Sequence, residues 1–153
     1  MRLNLGCGHE PLPGYVNVDA YADEADVDGD IRLLEFHDVD EVLMSHVLEH
    51  ISWRDTDVTL SHVHGWMRPG GLLRVEVPDM NLITREAMRN PDWIRYLYGS
   101  QEHEGEVHRN GFTLTSLSKA VTEAGFTIRE SHLFRSDNPH RNGMPVIQMV
   151  ASA

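Results

Sequence analysis

Near its start the chain reads MRLNLGCGHEPLPGYVNVDAY, two short apolar runs with only GHEPLPG between them. Residues 2–7 read as a strand, with Leu3 and Leu5 on one face and Arg2 and Asn4 on the other. Residues 15–20 read as a second strand, with Val16 and Val18 alternating against Asn17 and Asp19. A strand, a glycine turn, another strand and an acid make the opening of a nucleotide-type binding sheet. Neighbouring parallel strands are ordinarily joined through a helix. GHEPLPG carries two prolines and has no room for one. The fold must therefore do without that helix, and a ligand at the turn must do without a helix N-terminus.

Strand and helix alternate through the rest of the chain. An acidic stretch from Asp23 to Asp30 leads to Ile31 and a loop, and residues 41–45 (EVLMS) predict a buried strand. In residues 52–67, Ser52 is placed as an N-cap with Asp55 three residues on, and Trp53, Leu60, Val63 and Met67 fall at helical spacing. RPGG at 68–71 stops that helix. LLRVEVPD is a strand ending at Pro78 and Asp79, and Asp79 either caps the helix over 81–89 or binds substrate. Residues 91–112 are irregular, with a helical piece around DWIRYLYG and the polar loop SQEHEGEVHRNGF. Residues 115–124 predict a helix capped by Thr115 and stopped by Gly125, and residues 126–134 and 146–151 are the last strands.

This order predicts a single α/β domain over residues 1–153, Rossmann-like, with a mostly parallel sheet of about six or seven strands. Doubly wound sheets are covered on both faces, so their strands read as continuous apolar runs. Here Arg2, Asn4, Asn17, Arg74 and Glu76 alternate with Leu3, Leu5, Val16, Val18, Leu73, Val75 and Val77. One face is therefore expected to be only partly covered, shielded by residues 91–112 or by a second copy in a homodimer.

The formal net charge is −11, spread along the chain, which disfavours nucleic acid as a partner. The one cysteine, Cys7, cannot form an internal disulfide. No apolar run is long enough to span a bilayer and no leader precedes the first strand, so a reducing, cytoplasmic setting without membrane contact is expected. A GxG turn lets a ligand approach the backbone closely, but the dinucleotide fingerprint needs a third glycine and a helix facing the pyrophosphate. Both are lacking after Gly6-Cys7-Gly8, which disfavours a nicotinamide oxidoreductase. A phosphate-free, cationic ligand such as S-adenosylmethionine suits the turn better, with Asp19 placed to accept from its ribose hydroxyls.

Taken in order, LNLGCG, NVDAY, GDI, SHVLEHI and MRPGGLLRVEVPD resemble the class I S-adenosylmethionine-dependent methyltransferases. The chain is similar to the compact branch in which the glycine loop runs straight into LPG(Y/W)xNVD, and YGSQEHEGEVHRNGFT with the following AGF fits that branch too. The resemblance spans Leu3 to about Phe134. It implies that Gly6, Cys7 and Gly8 lie against the cofactor's methionine part and Asp19 on the ribose. It implies that Asp30 and Ile31 flank the adenine, Asp30 facing its amino group, and that Ser45 and His46 line the cofactor near the methyl. The class's usual helices before the first strand and after the glycine turn are absent from these residues.

For the acceptor, the loop after a Tyr-Gly pair supplies candidates: Tyr98, Gln101, His108 and Asn110 for binding, with Arg109 beside them. If the acceptor is a hydroxyl or a protonated amine, His46 and His108 are the candidate catalytic bases. The acceptor is expected to be a small polar molecule or sugar, taking the methyl on oxygen or nitrogen. A non-catalytic, cofactor-binding partner subunit is the alternative. HVLEH also matches the H-x-x-E-H pattern of a zinc hydrolase, with His46 and His50 sharing a helix face, Glu49 as base and Glu123 or Glu130 as third ligand. Its context at the end of a buried strand argues against that reading, and no metal site is expected.

Overall fold

The computed structural model describes residues 1–139, 141 and 143–153. Seven strands form one sheet: β1 (Arg2–Leu5), β2 (Val16–Asp19), β3 (Val27–Asp28), β4 (Val39–Ser45), β5 (Met67–Pro78), β6 (Thr127–Arg135) and β7 (Pro145–Ser152). Their order is β3-β2-β1-β4-β5-β7-β6; β7 runs antiparallel to both β5 and β6, and the other adjacent pairs are parallel. The order reverses between β1 and β4, so the connections leaving their carboxyl ends diverge and open a crevice there. Helices α1 (Thr56–Trp66), α2 (Met80–Glu86), α3 (Trp93–Tyr98) and α4 (Leu114–Glu123) complete the fold.

The alternation seen in the sequence separates the two faces of the sheet. Register sets Leu3, Val42, Leu73 and Ala151 in one row and Leu5, Met44, Val75 and Met149 in the next. All eight are buried, and α1 and α4 add Leu60, Val63, Leu117 and Val121 to the same core. The opposite face is polar. Arg2 Nε and Arg74 Nε donate to the two oxygens of Glu41 at 2.7 and 2.6 Å. Ser45 and Gln148 donate to the two oxygens of Glu76 at 2.7 and 2.8 Å. Ile83 of α2 and Tyr96 of α3 cover one corner of this face in a small cluster with Met144 and Val146. The expected partial cover is therefore what the fold shows, and residues 91–112 supply a piece of it.

The missing crossover is replaced by two asparagines. Asn17 Oδ1 accepts from Leu12 N at 2.7 Å and from Asn4 Nδ2 at 3.0 Å, while Asn17 Nδ2 donates to Leu12 O at 3.3 Å. Both side chains are buried beneath the GHEPLPG segment. This satisfies an extended loop that has no ladder of its own.

Several element boundaries differ from the sequence reading. β3 lies inside the acidic stretch read as loop. It is a two-residue edge strand whose charge hides it, and Asn17 O holds it through Asp26 N at 2.8 Å. Ser52 does not cap α1: its carbonyl accepts from Asp55 N and Thr56 N in a turn ahead of the helix, and Trp53 is exposed rather than part of the apolar stripe. α4 starts one residue early, because Thr113 forms a capping box with Ser116. Asp79 is the cap of α2, accepting from Asn81 N at 2.9 Å. Among the described residues, no helix is long and apolar enough to cross a membrane.

Candidate functional site

A cleft of about 340 Å³ opens at the carboxyl ends of β1, β2 and β4. Its first wall is the glycine turn. Gly6 and Gly8 have φ of 63° and 51°, a region costly for residues with a Cβ. A Cβ on Gly6 would stand 2.5 Å from Val47 Cγ2, whereas one on Gly8 meets nothing within 4 Å. Gly6 thus packs the turn onto the segment after β4, and Gly8 keeps the backbone open to the cleft. Asp19 stitches this wall together. Its Oδ2 accepts from Gly8 N at 2.8 Å and its Oδ1 from Tyr21 N at 2.8 Å and Ala22 N at 3.1 Å.

Of the predicted cofactor residues, Gly6, Gly8, Asp19, Asp30, Ile31 and His46 line the cleft. Asp30 is gripped by Arg32, whose Nε lies 2.9 Å from Oδ1, and these hydrogen bonds hold the carboxyl below its usual range. Cys7 and Ser45 do not line the cleft. Cys7 is buried, and burial followed by the nearby Asp19 charge pushes its thiol upward, away from nucleophilic use. Ser45 is turned onto the polar sheet face, toward Glu76, because it alternates with Met44 on the core face.

The second wall follows β4. His46 has φ of 59°, unusual for a residue with a bulky side chain. Its N–H donates to Glu76 O at 2.9 Å, and the chain then turns through a short 3₁₀ segment, Leu48–His50. His46 Nδ1 meets Glu49 Oε1 at 2.9 Å. Glu49 is 1% exposed. Burial alone would raise its carboxyl, but the adjacent His46 outweighs that and holds it below the ordinary range. The Glu49 carbonyl accepts from Arg109 N at 2.7 Å and Asn110 N at 3.0 Å, so the polar loop is fastened to this turn.

That fastening decides where the predicted acceptor residues go. His108 sits behind His50, their rings edge-to-face at 4.9 Å, and burial keeps its imidazole below its ordinary pKa. Asn110 Nδ2 donates to Thr56 Oγ1 at 2.9 Å, a structural contact. Tyr98 and Gln101 are exposed, Gln101 donating to Tyr98 O at 3.4 Å. None of the four lines the cleft. The loop's contribution is instead His103, Glu104, Gly105, Glu106 and Arg109, facing Tyr21, whose ring centroid lies 5.3 Å from that of His103. Sequence reasoning missed Tyr21 because an exposed tyrosine just past a strand end carries no local signal. The zinc pattern also changes: His46 and His50 share no helix, and Glu123 and Glu130 are exposed elsewhere.

The order-reversing sheet, the glycine turn and the acid at the end of β2 define a Rossmann-like domain with a ligand cleft at its switch point. The chain matches the methyltransferase domain family over residues 5–131 and belongs to it. Its class is that of the S-adenosylmethionine-dependent methyltransferases. Its fold is similar to that of an S-adenosylmethionine-dependent methyltransferase from Methanosarcina mazei, at 16% identity and TM-score 0.72, covering 99% of this chain and 91% of that one. It is also similar to the 1,6-didemethyltoxoflavin N1-methyltransferase of Burkholderia thailandensis, solved with S-adenosylhomocysteine, at 17% identity and TM-score 0.67, covering 99% and 69%. A Haloferax volcanii methyltransferase in complex with the Trm112 activator gives 15% identity and TM-score 0.66, covering 99% and 81%. No curated protein matches the chain.

Proposed function

We propose that this domain methylates a hydroxyl or amine of a small polar acceptor, with His46 as the base. The residues present fit the cofactor: an open glycine backbone at Gly8, a carboxylate at Asp19 with lone pairs beyond its three backbone bonds, and Asp30 with Ile31 farther along the cleft. S-adenosylmethionine bound there supplies an electrophilic methyl on a sulfonium. The chain's own work is to hold the acceptor in line, exclude water and remove a proton.

The observation that carries this reading is the His46–Glu49 pair. Glu49 Oε1 accepts from Nδ1 and orients the ring, so in the neutral imidazole the proton sits on Nδ1 and Nε2 carries the lone pair a base needs. Nε2 is buried and has no partner among the described residues, and His46 lines the cleft. A carboxylate-oriented imidazole is the arrangement that general-base catalysis requires. It favours an enzyme over a non-catalytic partner subunit.

The test is calorimetric titration with S-adenosylmethionine and S-adenosylhomocysteine, then an acceptor screen by release of S-adenosylhomocysteine. Binding followed by turnover that collapses in His46→Ala supports the reading. Binding without turnover on any hydroxyl or amine would sink it in favour of the partner-subunit alternative.

A further inference from the structure

We infer that Glu49, His50 and His108 form a site for one divalent transition-metal ion beside the cofactor cleft, where it would hold the hydroxyl of an acceptor. One ligand atom from each of the three residues lies within 4.8 Å of the others. Zinc–ligand bonds are about 2.1 Å, so a small inward movement would close the three donors on one ion.

The hydrogen bonds around the cluster point the same way. His50 Nδ1 meets Val107 O at 3.3 Å and His108 Nδ1 meets Tyr96 O at 3.0 Å. A carbonyl only accepts, so each Nδ1 carries a proton, and Nε2 is the ring atom left to ligate a metal. Metal-binding histidines are ordinarily held in this way, by an outer hydrogen bond that fixes ring and tautomer. Glu49 is divided likewise: Oε1 is engaged by His46, while Oε2 is buried and has no partner among the described residues. Two imidazoles and a carboxylate suit zinc, iron, cobalt or nickel better than magnesium, and three protein ligands leave coordination positions open. Of the three, His50 lines the cleft, and it is the link between the cluster and that space. A cation there would act as a Lewis acid and make an acceptor hydroxyl easier to deprotonate. The metal site stands on this geometry alone; its role in anchoring an acceptor rests on the methyltransferase reading.

The test is cobalt(II) titration of the chelator-treated protein, read by visible absorption, with S-adenosylhomocysteine calorimetry on the same samples. One equivalent of cobalt should bind, give ligand-field absorption and be displaced by zinc. His50→Gln and His108→Ala should each weaken uptake at least tenfold, and His132→Ala, exposed on β6, should leave it unchanged. If His108→Ala fails to fold, His50→Gln decides. No uptake by folded wild type, or uptake that survives the His50 and His108 substitutions, overturns the site. S-adenosylhomocysteine binding without cobalt uptake defeats the metal site alone. Cobalt uptake without S-adenosylhomocysteine binding defeats the cofactor reading alone.

Discussion

The two walls of the cleft are built on opposite principles. The wall at β1 and β2 consists of backbone and a partly exposed carboxylate, stitched over a short stretch by Gly8, Asp19, Tyr21 and Ala22. The wall after β4 presents His46 and His50, backed by the buried Glu49 and by His108 from a distant segment. The first tolerates water, because its polar groups already have backbone partners. The second is low in dielectric, so its unpaired Nε2 and Oε2 atoms are costly unless chemistry uses them. On the function proposed above, this difference would separate binding from reaction, the open wall holding the cofactor and the dry wall moving the proton.

On that division, the largest effect belongs to the dry wall. His46→Ala should lower kcat by about 10²–10⁴ while S-adenosylhomocysteine affinity stays nearly constant, measured by steady-state kinetics beside calorimetry. An equal loss in both would break the comparison. Next come the paired glycines. Gly6→Ala meets both a positive φ and the Val47 contact, and should cost about 2–3 kcal/mol in chemical denaturation. Gly8→Ala meets only the positive φ, about 1 kcal/mol, so its larger effect should fall on cofactor binding. Were the two variants indistinguishable in both assays, the open side of the turn would not be the ligand's.

Smaller again is Asp19→Asn, which removes the charge and sets an NH2 group, unable to accept, against Gly8 N or against Tyr21 N and Ala22 N, loosening the turn as well. S-adenosylhomocysteine binding should weaken by about 1.5 kcal/mol, near tenfold. The smallest effect lies away from both walls. Burial alone would raise the Glu41 carboxyl, but hydrogen bonds from Arg74 and Arg2 outweigh it and hold it below the usual range. A depressed folded-state pKa stabilises the protein above the unfolded value, 4.5, and the contribution is lost as pH falls through the folded value. Glu41→Gln should therefore cost about 0.5–1 kcal/mol at pH 7 and flatten the acid limb of a Tm-against-pH curve.

The legible parts were those whose signal is local. Leu3 and Leu5 on β1, Leu73, Val75 and Val77 on β5, and the polar residues between them announced strands and a half-bare sheet, because side chains alternate with period two. Gly6, Gly8 and Asp19 announced a tight turn at the strand ends, because a positive φ there needs glycine, and all three line the cleft. The acceptor side was misread where the answer depended on packing. Tyr98, Gln101 and Asn110 are polar and lie in the right loop, yet that loop is tied down through Glu49 O and turns Gly105 and Arg109 to the cleft instead.

By itself, then, the order of residues determined the sheet apart from its edge strand β3, its two unlike faces and the glycine-and-acid turn, since each follows from periodicity or from a backbone conformation that few residues can adopt. Only the tertiary structure decided that His108 comes to Glu49 and His50, that Ser45 faces away from the cleft and that Tyr21 faces the loop. Those placements come from contacts between segments far apart in the chain. Where a side chain ends up is then set by the burial and hydrogen bonding of its new neighbours, which no local pattern records.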